Sequence, residues 1–78
     1  MGFSQYSKPK VYKRIRDLRE DNDKTQQDIA NILGMHLTQY RRYENGESKV
    51  SLELAETLSN IYNVSIDYIA GLTDKKEK

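Results

Sequence analysis

Between Thr25 and Gly46 the chain carries two helix starts and two helix stops in close succession, and few arrangements of a backbone satisfy all four. Thr25 followed three residues later by Asp28 resembles a capping box with Asp in place of Glu, so a helix is predicted from Gln26. Its inward stripe is Ile29, Ala30 and Leu33, and Gly34 ends it as a left-handed C′ residue. Met35 and His36 make a turn. A further helix is then predicted from Leu37 to Glu44, closed by Asn45-Gly46. Two helices joined by so short a turn can cross steeply only if their contact point is small and their inner faces are apolar. Ala30 supplies the small residue and Gly34 the positive φ of the turn. Ile29, Leu33, Met35, Tyr40 and Tyr43 supply the packed faces.

The flanks extend the helical pattern. Val11, Ile15, Leu18 and Asn22 fall at helical spacing from Lys10 to Asp21, with Pro9 as a first-turn residue. After the polar stretch "GESKV", Ser51 is a good N-cap for a helix from Leu52 to Tyr62 that buries Leu52, Ala55, Leu58, Ser59 and Tyr62. Asn63 can take a left-handed cap position, and Ser65 caps a short helix over Ile66–Ala70, closed by Gly71. No segment alternates with period two. The predicted fold is all-α: a flexible leader over residues 1–9, a compact five-helix domain over 10–73 and a charged tail over 74–78.

Composition narrows the function classes. A chain of 78 residues holds one domain at most. Its formal net charge of +1 hides an uneven distribution. Residues 1–49 carry ten Lys/Arg against seven Asp/Glu, whereas residues 50–74 carry four acids and no Lys or Arg. A basic front half could orient the molecule towards a polyanion, although uneven solvated charge explains it equally well. There is no cysteine, no signal-peptide segment and no apolar run near the ~20 residues needed to span a bilayer, so a cytoplasmic protein without membrane contact is expected. With one histidine, no cysteine and no Gly-rich phosphate loop, no catalytic residues, metal site or cofactor are expected.

From Ala30 the intervals are four residues to Gly34, ten to Tyr40 and thirteen to Tyr43, which is helix-turn-helix spacing. The residues "IRDLRED…TQQDIANILGMHLTQYRRYENGE…SLELAETLSNIYNVSIDYIAGLTD" resemble the Cro/phage-repressor helix-turn-helix family, also called the XRE family, over residues 11–73. The resemblance implies a lambda-repressor-like domain whose helices 2 and 3 form the motif. It also implies a DNA-binding transcriptional regulator, usually a homodimeric repressor. Three positions depart from the family pattern: His36 where Ser or Thr commonly caps the third helix, Tyr40 for Ile or Val, and Val50 where Pro is frequent.

Tyr40 and Tyr43 share the inner face of the third helix, which turns Thr38, Arg41 and Arg42 outward with Leu37 and Gln39 at the flanks. A recognition helix enters the major groove with its N-terminal residues at the base edges. Leu37, Thr38, Arg41 and Arg42 are therefore the candidate base contacts, through arginine on guanine N7 and O6 and a methyl group on thymine. Arg41 could equally reach a phosphate, and Leu37 could pack against helix 2. Gln26, at a first turn whose N–H groups favour an anion, is a candidate phosphate contact. His36, Asn45 and Lys49 are candidates of the same kind; His36 could instead cap the helix, and Lys49 could be plain loop charge. By resemblance, Arg19 and Glu44 form a structural ion pair tying the first helix to the third. Also by resemblance, "NVSIDYI" places Tyr68 and Ile66 at a dimer interface, which Leu54 and Ile61, off the main inner stripe, could extend; alternatively Ile66 caps the core and Tyr68 lies half exposed. The expected function is sequence-specific binding of double-stranded DNA as a homodimer on a palindromic operator. The alternative is a protein-interaction module such as the antitoxin of a toxin–antitoxin pair, with a protein partner of unknown identity.

Overall fold

The computed structural model describes residues 5–6 and 9–78, with side chains from Lys10 onward. The elements run β1 (Gln5–Tyr6), α1 (Pro9–Asp21), α2 (Gln26–Leu33), α3 (Leu37–Glu44), β2 (Val50–Ser51), α4 (Leu52–Tyr62) and α5 (Ile66–Ile69). The expected leader lies largely outside the described residues. Within it, Gln5 and Tyr6 pair antiparallel with Ser51 and Val50. This two-residue ladder is the one departure from an all-helical fold among the described residues, and a strand so short leaves no alternation to read.

Local chemistry sets the helix ends. In the capping box, the Asp28 N–H donates to Thr25 Oγ1 at 3.0 Å and the Thr25 N–H donates to Asp28 Oδ2 at 2.8 Å. Gly34 is left-handed at φ 69°, and a Schellman pair closes α2: Met35 N–H donates to Ala30 C=O at 3.0 Å and Gly34 N–H to Asn31 C=O at 3.2 Å. The same pattern ends α3, with Glu47 N–H donating to Arg42 C=O at 2.8 Å. Ser51 and Ser65 cap α4 and α5 through the Leu54 and Tyr68 N–H groups.

One core unites these helices. Val11, Ile15 and Leu18 from α1, Ile29 and Ala30 from α2, Tyr40 from α3, Val50, the α4 stripe, Val64 and Ile69 are all buried in it. Burial of Val50 accounts for the departure from Pro at that position, since the side chain fills the core and its backbone joins the ladder. On α4 the buried residues are Leu54, Ala55, Leu58, Ser59 and Tyr62, while Leu52 is 36% exposed. The stripe therefore consists of the rows 54–58–62 and 55–59, four residues apart, which leaves Leu52 off it. Leu54, expected at a dimer surface, is a core residue at 9% exposure. No helix of the described residues is long and apolar enough to cross a membrane.

Candidate nucleic-acid interface

Two residues of α3 decide how the helix is aimed. Tyr40 is fully buried and Glu44, one turn later, is 3% exposed, so this row faces the core. Tyr43 and Leu37 are half-buried beside it, and Thr38, Gln39, Arg41 and Arg42 are exposed. The outer face predicted from the tyrosine spacing is the outer face of the structure.

Glu44 is held by four donors. Arg19 approaches bidentately, Nε to Oε2 at 2.7 Å and Nη2 to Oε1 at 3.1 Å; Gln26 Nε2 donates to Oε1 at 3.1 Å, and the Tyr40 hydroxyl donates to Oε2. A carboxylate offers about four lone-pair sites, so this one is saturated. Burial alone would raise its pKa, but the bonds from Arg19, Tyr40 and Gln26 prevail and hold it below the ordinary carboxylate value. Burial and the Glu44 bond push the Tyr40 hydroxyl well above its usual value. Arg19 is fixed further by donating Nη1 to the Lys24 carbonyl at 2.9 Å. The expected Arg19–Glu44 pair is thus present, and it joins α1 to the end of α3. Tyr40 and Gln26 also take part, which the sequence reading does not anticipate; the four-residue spacing of Tyr40 and Glu44 is the signal that could have found the first.

The remaining candidates fall around α3. Gln26 begins α2, and its side chain lies between Glu44 and Arg41, accepting from Arg41 Nε at 3.1 Å. His36 occupies the N-cap position of α3 with φ −68° and ψ 147°, but its side chain makes no capping hydrogen bond. Asn45 is exposed and donates Nδ2 to Glu47 Oε2 at 3.3 Å. Lys49 is exposed in the loop before β2.

On α4 and α5, Ile61, Ile66 and Tyr68 are half-buried and pack against the core. Arg14 lies over the Tyr68 ring at 4.1 Å from its centre. The same guanidinium donates to the Tyr68 and Thr73 carbonyls at 2.5 Å each and to Asp74 at 2.6 Å. Arg14 thereby fastens the segment after α5 to α1. Nothing in its sequence surroundings distinguishes it from the other basic residues of that helix.

The Helix-turn-helix family profile matches residues 15–69, which include all of α2 through α5. Over 61 residues the chain is 42% identical to the antitoxin PezA of Streptococcus pneumoniae, covering 78% of this chain and 39% of that protein. It is 38% identical over 61 residues to the HTH-type transcriptional regulator YobD of Bacillus subtilis, covering 78% of this chain and 54% of YobD. Over 71 residues it is 31% identical to RstR, the transcriptional repressor of the cryptic phage CTXphi of Vibrio cholerae, covering 88% of this chain and 63% of RstR. The chain therefore spans between 39% and 63% of the length of these relatives. With the matched region covering the motif, its supporting helices and the buried pair that aims α3, the chain belongs to the XRE-type helix-turn-helix family.

Proposed function

We propose that the protein is a non-enzymatic transcriptional regulator, a repressor, that binds a specific sequence of double-stranded DNA as a homodimer on a palindromic operator. The observation that carries this reading is the aim of α3. Tyr40 and Glu44 turn one face to the core, and Thr38, Arg41 and Arg42 stand exposed on the other, at the spacing of a helix that enters a major groove. The similarity to a phage repressor supports the sign of regulation. Leu37, Thr38 and Arg42 are the proposed base contacts, with Asn45, Lys49 and His36 towards the phosphates. Ile61, Ile66 and Tyr68 are the proposed dimer surface.

Selection of bound sites from random duplex DNA tests this. The expected result is an inverted repeat whose half-sites lie ~10 bp apart, one helical turn. Recovery of no common sequence would overturn the reading. A second reading, the DNA-binding antitoxin of a toxin–antitoxin pair, is favoured by the similarity to PezA. It predicts that expression of this chain neutralises a toxic protein encoded beside it, and growth unaffected by the neighbouring gene alone would exclude it.

A further inference from the structure

Gln26 is placed where a direct phosphate contact was expected, yet both ends of its amide are already engaged. Nε2 donates to Glu44 Oε1 at 3.1 Å and Oε1 accepts from Arg41 Nε at 3.1 Å. The first turn of α2 also carries an anion of its own, since the Asp28 carboxylate accepts the Thr25 N–H.

The direction of that amide is forced. A carboxylate accepts only and a guanidinium donates only, so the NH2 end must face Glu44 and the oxygen must face Arg41. A flipped amide would set oxygen against carboxylate and NH2 against guanidinium. Glu44 cannot yield, because Arg19 and Tyr40 saturate its remaining sites. The exposed Arg41 is thus tied, through one half-buried side chain, to the buried pair that anchors α3.

A guanidinium can grip two acceptors through its Nε–Nη edge or through its Nη–Nη edge. With Nε taken by Gln26, the Nη–Nη edge is the one left to a ligand, and among the described residues it makes no hydrogen bond. We propose that Gln26 is a positioning residue for Arg41, holding the guanidinium by Nε so that its two terminal nitrogens face a pair of acceptor atoms on the DNA. The proposal rests on the DNA-binding reading above, and it reassigns Gln26 from touching the DNA to acting through Arg41.

The test is a double-mutant cycle on the full chain with a selected duplex, using Gln26→Met, Arg41→Ala and the double variant. Thermal melting of each variant accompanies the affinities. Gln26→Met leaves Glu44 its bonds from Arg19 and Tyr40, so the fold is retained. Gln26→Met should weaken binding by about fivefold, the scale of one long side chain left to be ordered on binding. It should have no further effect once Arg41 is alanine. Arg41→Lys, which keeps the charge but has no Nε–H of this geometry, should be as insensitive to Gln26→Met as Arg41→Ala. In the free protein, exchange of the Arg41 Nε–H with solvent should accelerate in Gln26→Met. Arg41→Ala should lower the salt slope by about one if the acceptors are phosphate oxygens, or relax preference at one base pair if they lie on a base edge. Additive losses for Gln26→Met and Arg41→Ala would overturn the proposal while leaving DNA binding intact, as would unchanged Nε–H exchange. A wild-type chain that binds no duplex would overturn both.

Discussion

Glu44 is the residue on which the molecule most depends, because it stays charged while almost fully buried. Removing one partner of a buried ion pair typically costs ~3–5 kcal/mol, and the part-exposed Arg19 places this pair towards the lower end. A domain of 78 residues has roughly 4–12 kcal/mol to lose. Glu44→Gln should therefore leave the fold marginal, with a melting temperature far below that of the wild type in calorimetry. The pH dependence has a definite sign. A carboxylate whose folded pKa is depressed contributes its full stabilisation above the unfolded value of 4.5 and loses it as pH falls through the lower folded value. Wild-type stability should fall steadily below pH 4.5, and Glu44→Gln should show a shallower fall in that window. Equal slopes would assign the acid sensitivity to other groups, of which Asp28 in the capping box shifts in the same direction. Beside this network the buried Tyr62 hydroxyl finds no hydrogen-bond partner among the described residues, and burial, with the Glu44 charge next, pushes it to about 12. Tyr62→Phe should leave chemical-denaturation stability unchanged or raise it by up to ~1 kcal/mol. A loss of that size would reveal a partner. At this scale the Arg19–Glu44 pair was legible only through the family resemblance; the four-residue spacing of Tyr40 and Glu44 was a usable signal, whereas Gln26 gave none, because its contacts depend on how α2 crosses α3.

The helices illustrate what is local and what is not. Starts at Gln26 and Leu52 agree between sequence and structure because Thr25 and Ser51 make their caps within a few residues of the chain. The start at Leu37 agrees because the left-handed Gly34 ends α2 just before it. The burial of Leu54 in place of Leu52 was not legible, since two leucines so close at the start of a helix are separated only by the neighbours they meet. His36 has N-cap backbone geometry without a capping bond, so His36→Ser should stabilise by ~1 kcal/mol, about 4–8 °C in melting temperature. No gain would mean that the imidazole packs usefully in another way. The two left-handed glycines flanking α3 should differ. A Cβ at Gly34 meets nothing within 4 Å, so Gly34→Ala should cost only the ~1–2 kcal/mol of the left-handed backbone. At Gly46 a Cβ would lie 2.5 Å from a ring carbon of Tyr12, and the clash adds ~1 kcal/mol or more to the same strain. Urea denaturation of both variants checks the order, and equal losses would mean that the Tyr12 ring moves aside freely.

Over the whole molecule the helix count and the placement of the basic α3 face were legible, the first from local start and stop signals and the second from the spacing of the α3 tyrosines. The fastening of the segment after α5 by Arg14 was not, since it joins residues more than fifty positions apart. The result is a body of 30 × 23 × 19 Å in which one buried carboxylate, shared by α1, α2 and α3, aims the exposed arginines. Its modest net charge is no obstacle to the proposed role, which asks only for local contacts from Arg41 and Arg42, both exposed on a helix face that the core orients. The most direct measurement of that claim is the affinity of wild type and Arg42→Ala for a selected duplex and a scrambled one, by fluorescence anisotropy across a salt series. The wild type should prefer the selected site, with affinity falling steeply as salt rises. Arg42→Ala should lose ~1–3 kcal/mol on the selected site and discriminate less at one base pair of each half-site. Equal binding by the two proteins, or no binding of any duplex at low salt, would contradict the account.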